Sequence, residues 1–167
     1  MEYDVEIMDK LSDKLFCQMC EAYARTPEAS VMERKYLPAK VALENIPDNL
    51  KAELDDVESM HLRAAKLKCE YACKCGLYAA FRFHFSRYLA PDYFETTMDQ
   101  FKTTDEYGRI SADLIKQVEY LSNSLGDEGH HIEDIDSIWD ARNHGIAYQA
   151  YQYGFHWGTD ICSFEQC

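Results

Sequence analysis

From Asp48 to about Leu89 the chain has no proline and a single glycine, Gly76. No other feature restricts the fold as strongly. Leu50, Val57, Ala64, Tyr71, Tyr78 and Phe85 recur every seven residues, and Met60, Leu67, Phe81 and Tyr88 fill a neighbouring row. A seven-residue step returns to nearly the same side of a helix after two turns. The pattern predicts one continuous helix, roughly 60 Å long. The rest of so short a chain must then be arranged along it. The charges of this segment are polarised. Asp48, Glu53, Asp55, Asp56 and Glu58 crowd its start, and Arg63, Lys66, Lys68, Lys74, Arg82 and Arg87 follow, with Glu70 the one acid among them. That order complements the helix dipole. It would also let two copies pair antiparallel, acid against base, which implies a homo-oligomer.

The flanking segments read as further helices. Val5, Met8, Leu15, Met19 and Ala22 form one apolar stripe and predict a helix over Tyr3–Arg25. It is closed by Thr26-Pro27, because the residue before proline disfavours helical angles. Glu28 to Asn45 looks less regular, with one short helix broken near Pro38. A short helix fits Tyr93 to Phe101. Ser111 is placed to cap the next, along which Leu114, Val118, Leu121 and Leu125 follow at helical spacing. "GDEGHHIEDID" reads as a glycine-punctuated acidic loop, and a last helix runs from about Ile135 to Ser163. Only 7 glycines and 4 prolines in 167 residues leave too few turn signals for a many-stranded β fold. The expected architecture is an all-α bundle in one domain, 1–167, with halves at 1–90 and 91–167. The long helix, about 48–89, packs against the C-terminal helix.

Small residues indicate how those two helices meet. Ala147, Ala150, Gly154, Gly158 and Cys162 share one face of the last helix. Ala65, Cys69, Ala72 or Cys73, Gly76 and Ala80 form a comparable row on the long one. Glycine costs a helix about 1 kcal/mol against alanine, so such rows are expected where a second backbone comes close. Beside them lies a repeated motif. Phe83-His84-Phe85 and Phe155-His156-Trp157 stand 72 residues apart with neighbours of similar kind, which suggests an internal duplication. His84 and His156 read as hydrogen-bonded imidazoles at the edge of an aromatic core, or else as a pair of functional groups.

The segments "AAFRFHFSRYL" (79–89) and "YQYGFHWGTDI" (151–161) resemble a family of small helical proteins of unknown function from gut Firmicutes. There a charged helix leads into a "GFRLGARL"-like segment. Serine replaces glycine in the first copy, and threonine-aspartate replaces the basic part of the second. The resemblance implies an all-helical fold and carries no activity or site residues.

A formal net charge of −13 repels phosphate backbones and argues against direct nucleic-acid binding. It suits a basic protein partner, including a nucleic-acid-binding protein blocked by charge mimicry. No apolar run of about 20 residues reads as a membrane span, and "MEYDVEIMDK" lacks a secretory pattern. A cytoplasmic location with reduced thiols is expected, and seven cysteines cannot all pair internally.

Several residue sets could hold zinc or iron. Glu58/His61 and Glu128/His131 are Glu-x-x-His pairs of the kind that build di-iron bundles. His130, His131, Glu133 and Asp136 could bind one ion in the acidic loop. Cys17, Cys20, Cys69 and Cys73 could supply four thiolates. A phosphate loop and a nucleophile elbow are both missing. "AELDDVE" (52–58) only partly echoes the paired acidic runs of helical nucleotide pyrophosphatases. The leading expectation is a non-enzymatic interaction or structural protein with an acidic partner-binding surface and no cofactor. The alternative is a metal-binding helical bundle with enzymatic activity.

Overall fold

A computed structural model describes residues 2–86, 88–89 and 92–164, with side chains described from residue 12 to 163 within those ranges. Among the described residues there are α-helices, one short 3-10 turn and no strand. The helices are α1 (Glu2–Ala24), α2 (Pro27–Ala42), α3 (Asp48–Ser86), α4 (Tyr93–Lys102), α5 (Asp105–Leu125) and α6 (His130–Phe164). The all-helical expectation holds, and so does the long helix, which ends at Ser86 rather than near Leu89. Val5 and Met8 of the predicted α1 stripe lie outside the described side chains.

Three boundaries differ from the sequence reading. The segment after Thr26 is one helix of 16 residues with Pro38 inside it, not a broken stretch. Thr26 makes the α1–α2 junction. Its hydroxyl donates to the Tyr23 carbonyl at 2.8 Å and accepts from the Ala29 amide at 3.2 Å, and Pro27 takes the first helical position. Pro38 is exposed, so the carbonyl it leaves without a helical donor faces solvent, while buried Ala39 and Leu43 hold the helix down.

Helix α5 starts at Asp105, six positions before Ser111. Thr104 is its N-cap residue, and Asp105 and Glu106 put acid in the first turn. Helix α6 starts at His130, so most of the expected acidic loop is helix. Gly126, at φ 58°, ends α5. Gly129 then lies against α5 so closely that a Cβ would sit 2.2 Å from the Ser122 carbonyl oxygen. With the turn made by those two glycines, Ile132, Ile135 and Ile138 continue the buried stripe of α6 without a break.

Helices α3 and α6 form the central pair. They run parallel: Asp136 and Asn143 meet His61 near one end, and Gly158 meets Ala80 towards the other. The two small-residue rows face each other as expected. Ala72, Ala80, Ala147 and Ala150 have no exposed surface. A Cβ on Gly76 would lie 2.0 Å from the Tyr151 carbonyl oxygen, and one on Gly154 would lie 2.0 Å from that of Cys73. Helix α2 packs on α6, α4 and α5 on α3, and α1 on both. One apolar cluster joins Phe16, Met19, Cys69, Met98 and Ile146. A second joins Leu43, Val57, Leu114, Leu121 and Trp139. Each draws residues from both sides of position 90.

Candidate functional site

Between α3, α5 and α6 the second apolar cluster opens into a groove of about 770 Å³. Its floor is Ala64, Leu114 and Val118, and its polar groups come in matched rows. His61 and Lys68, two helical turns apart, share a face of α3. Asp136, Asp140 and Asn143 share a face of α6. Both basic side chains are almost completely buried, Lys68 at 4% exposure and His61 at 7%. The buried charge of Lys68 must be paired and the polar ring of His61 needs a hydrogen-bond partner, and each has a carboxylate. His61 Nε2 lies 2.8 Å from Asp136 Oδ1, and Lys68 Nζ lies 3.1 Å from Asp140 Oδ1. An ionised carboxylate only accepts, which puts a proton on Nε2 of His61.

The surroundings lock these pairs. The His61 ring packs on Trp139 at 5.0 Å, and the Asn143 amide donates to the His61 carbonyl at 3.2 Å. The Lys68 ammonium also stands over the Tyr107 ring, 5.8 Å from its centroid. Burial, reinforced by the charge of Asp140, pushes the Tyr107 phenol up from its ordinary value, so it stays a neutral donor. Glu119 and Glu133 lie on the groove wall, and Glu133 accepts from the Ser122 hydroxyl at 3.0 Å. The buried Lys68 and His61 thus have their partners within the groove, and Glu119 and Glu133 add further carboxylates to its wall.

The residues expected to hold a metal do not converge. Among the described residues no three His, Cys, Asp or Glu side chains form a group that could ligate an ion. Glu58 is exposed and lines a separate hollow with Tyr36 and Trp139, while His61, three residues on, is committed to Asp136. His130 and His131 stack at 3.9 Å at the start of α6, and His130 Nδ1 lies 2.8 Å from the Asp127 carbonyl oxygen. Glu128 lies in the 3-10 turn before them.

Cys17 is exposed, whereas Cys20 packs into the core near Cys69 and Cys73. Burial first, then the neighbouring Cys73 and Cys20, pushes the Cys69 thiol up to about 12. That environment opposes the thiolate a metal needs.

His84 and His156 are not core imidazoles. His156 is exposed and His84 is half-buried, and each ring makes its edge contact with the phenylalanine next to it in sequence. Nor do they stand opposite each other. The motif repeats at 72 residues, but the seam pairs residues about 78 apart, as in Gly76 with Gly154 and Ala80 with Gly158. The six-residue difference separates the two histidines by about 9 Å along the helices.

Lys68, Asp140, Asn143 and Tyr107 were not among the expected site residues. The signal for them lies in register. Asp136, Asp140 and Asn143 recur at helical spacing beside the small-residue row of α6, and His61 and Lys68 do so beside that of α3.

Fold and groove together define an all-helical protein in which a close-packed parallel helix pair carries an acidic groove. No family model, curated protein or solved structure matches the chain. Among the described residues no helix is long and apolar enough to cross a membrane.

Proposed function

We propose that the protein is a non-enzymatic interaction protein that receives a basic segment of a partner protein in the α3–α5–α6 groove. The observation that carries this is the state of its charges. The buried ammonium of Lys68 is already held by Asp140, and the His61 imidazole is already bonded to Asp136. Glu119 and Glu133 line the same groove of about 770 Å³. Apolar Leu114, Val118 and the exposed Ile115 would take the non-polar side of an amphipathic segment. The reading includes self-association and a reducing, cytoplasmic setting. The raised values of the Cys20, Cys69, Cys73 and Cys75 thiols suit that setting, because protonated thiols resist oxidation.

A designed amphipathic peptide of leucine and lysine tests the groove. Titration should show saturable binding that weakens about tenfold or more as salt rises from low to physiological strength. Glu119→Lys combined with Glu133→Lys should abolish it with the helical circular dichroism unchanged. Binding indifferent to both salt and these two substitutions would overturn the reading.

A further inference from the structure

On the other flank of α6 a second cavity, of about 340 Å³, lies between α1, α2, α3 and α6. That volume falls within the roughly 300–1,000 Å³ of small-molecule sites. Ile138 and Arg142, one turn apart on α6, line it, whereas Asp136 and Asp140 line the groove. Helical periodicity sets these two pairs on opposite sides of α6.

The walls are aromatic and held in place. The Tyr36 and Trp139 rings stand 6.4 Å apart at 42°. His61 packs on Trp139, and the Lys40 ammonium stands over the Tyr36 ring, 5.7 Å from its centroid. Tyr23 is 6% exposed and rests against α6 where Gly145 has no side chain, since a Cβ there would come within 2.2 Å of the tyrosine ring.

Three charged side chains line the same cavity: Arg142, Glu33 and Glu58. Among the described residues none of the three belongs to an ion pair. Their positions differ. Burial pushes the Tyr23 phenol and the Cys20 thiol up, and the Arg142 guanidinium beside them opposes that rise in both. The positive charge therefore sits at the α1 end. Glu58 also lines the next hollow along α2, with Tyr36 and Trp139, and so marks the other end.

We infer that this cavity binds a small zwitterion with a flat apolar body, the chemistry of an aromatic amino acid. Arg142 takes the carboxylate, Glu58 and Glu33 take the ammonium, and the ring lies against Tyr36 and Trp139. Charge selects this class. A phosphate or dicarboxylate would bring two negative charges to a cavity that already holds two carboxylates against one guanidinium. A simple amine would leave Arg142 without a counter-charge. A zwitterion answers both ends.

L-Phenylalanine is the probe and Trp139 the reporter. The chain has 2 tryptophans, so Trp157→Phe leaves the fluorescence to Trp139. Titration should give a saturable change with half-saturation below about 1 mM. Phenylpropionate, which lacks the amine, and phenethylamine, which lacks the carboxylate, should each bind about tenfold or more weakly, as the loss of a charge-assisted contact implies. Arg142→Gln should weaken phenylalanine by a similar factor and leave phenethylamine bound no less tightly. Glu33→Gln combined with Glu58→Gln should weaken phenylalanine and leave phenylpropionate bound no less tightly. All three side chains are exposed, so the helical circular dichroism should not change. That crossed pattern separates ligand contacts from a general loosening of the cavity. No saturable change up to about 10 mM phenylalanine, an equal loss of all three ligands in Arg142→Gln, or tightest binding of phenethylamine would each overturn the assignment. None of these outcomes bears on the groove, whose acids line a separate opening.

Discussion

Replacing Asp140 with alanine strands the Lys68 ammonium, which is 4% exposed, with only a tyrosine face for company. Leaving a buried charge unpaired typically costs about 3–5 kcal/mol. Asp140 itself is two-thirds exposed, so water can partly replace it, and about 2–3 kcal/mol is expected. Lys68→Met removes charge and desolvation cost together and should cost less than Asp140→Ala. Urea denaturation of both variants checks this order, and the reverse order would mean that the pair itself is strongly stabilising. Cysteine reactivity gives a second test. Native-state alkylation followed by peptide mass spectrometry should modify exposed Cys17 first and Cys69 last, since burial raises the Cys69 thiol to about 12. At this scale the apolar stripes were legible in part: Met19, Val57 and Ala64 are buried as their spacing implies, whereas Tyr78 and Phe85 of the same seven-residue row are exposed. Lys68 was not, because a lysine is buried only where a partner meets it. Its partner is 72 positions away in the chain.

At the scale of elements the glycines separate into two kinds. Gly76→Ala would force a Cβ to 2.0 Å from a backbone oxygen of α6, and neither backbone can yield without parting the pair. A loss of more than about 3 kcal/mol is expected. Gly108 in α5 has nothing within 4 Å of the place a Cβ would take. Gly108→Ala should therefore stabilise, by up to about 1 kcal/mol. Thermal melts should move in opposite directions, and similar shifts for both would count against the close-packed seam. Pro38→Ala restores a backbone donor inside α2 and should stabilise by about 1–2 kcal/mol, below the roughly 3 kcal/mol of an unconstrained helix interior. The seam was readable because small residues at three- and four-residue spacing have few other uses in a helix that forgoes better formers. The start of α6 was not readable. Two glycines beside two histidines look like a loop until the close approach of Gly129 to Ser122 shows that they make a tight turn between packed helices.

For the whole molecule, pH reports how the core was assembled. Burial raises Cys69 from 9.0 and Tyr151 from 10.0, each to about 12, and raises Cys20, Cys73, Cys75, Tyr23, Tyr71 and Tyr107 in the same direction. The folded state therefore holds protons that the unfolded chain releases. This stabilising contribution is complete below about pH 9 and is lost as pH climbs towards 12. Chemical denaturation at a series of pH values should show stability falling across that window, and a flat profile would refute it. The chain by itself determined the helical class, the long central element and the faces on which small residues let α3 and α6 touch. These follow from local periodicity and from proline and glycine placement, which act over a few turns. Tertiary structure alone decided that the pair runs parallel in a register of about 78 rather than 72. It also turned His84 and His156 away from each other and gathered His61, Lys68, Asp136 and Asp140 around one groove. Those outcomes depend on which face of one helix meets which face of another, and that is settled by packing residues far apart in sequence.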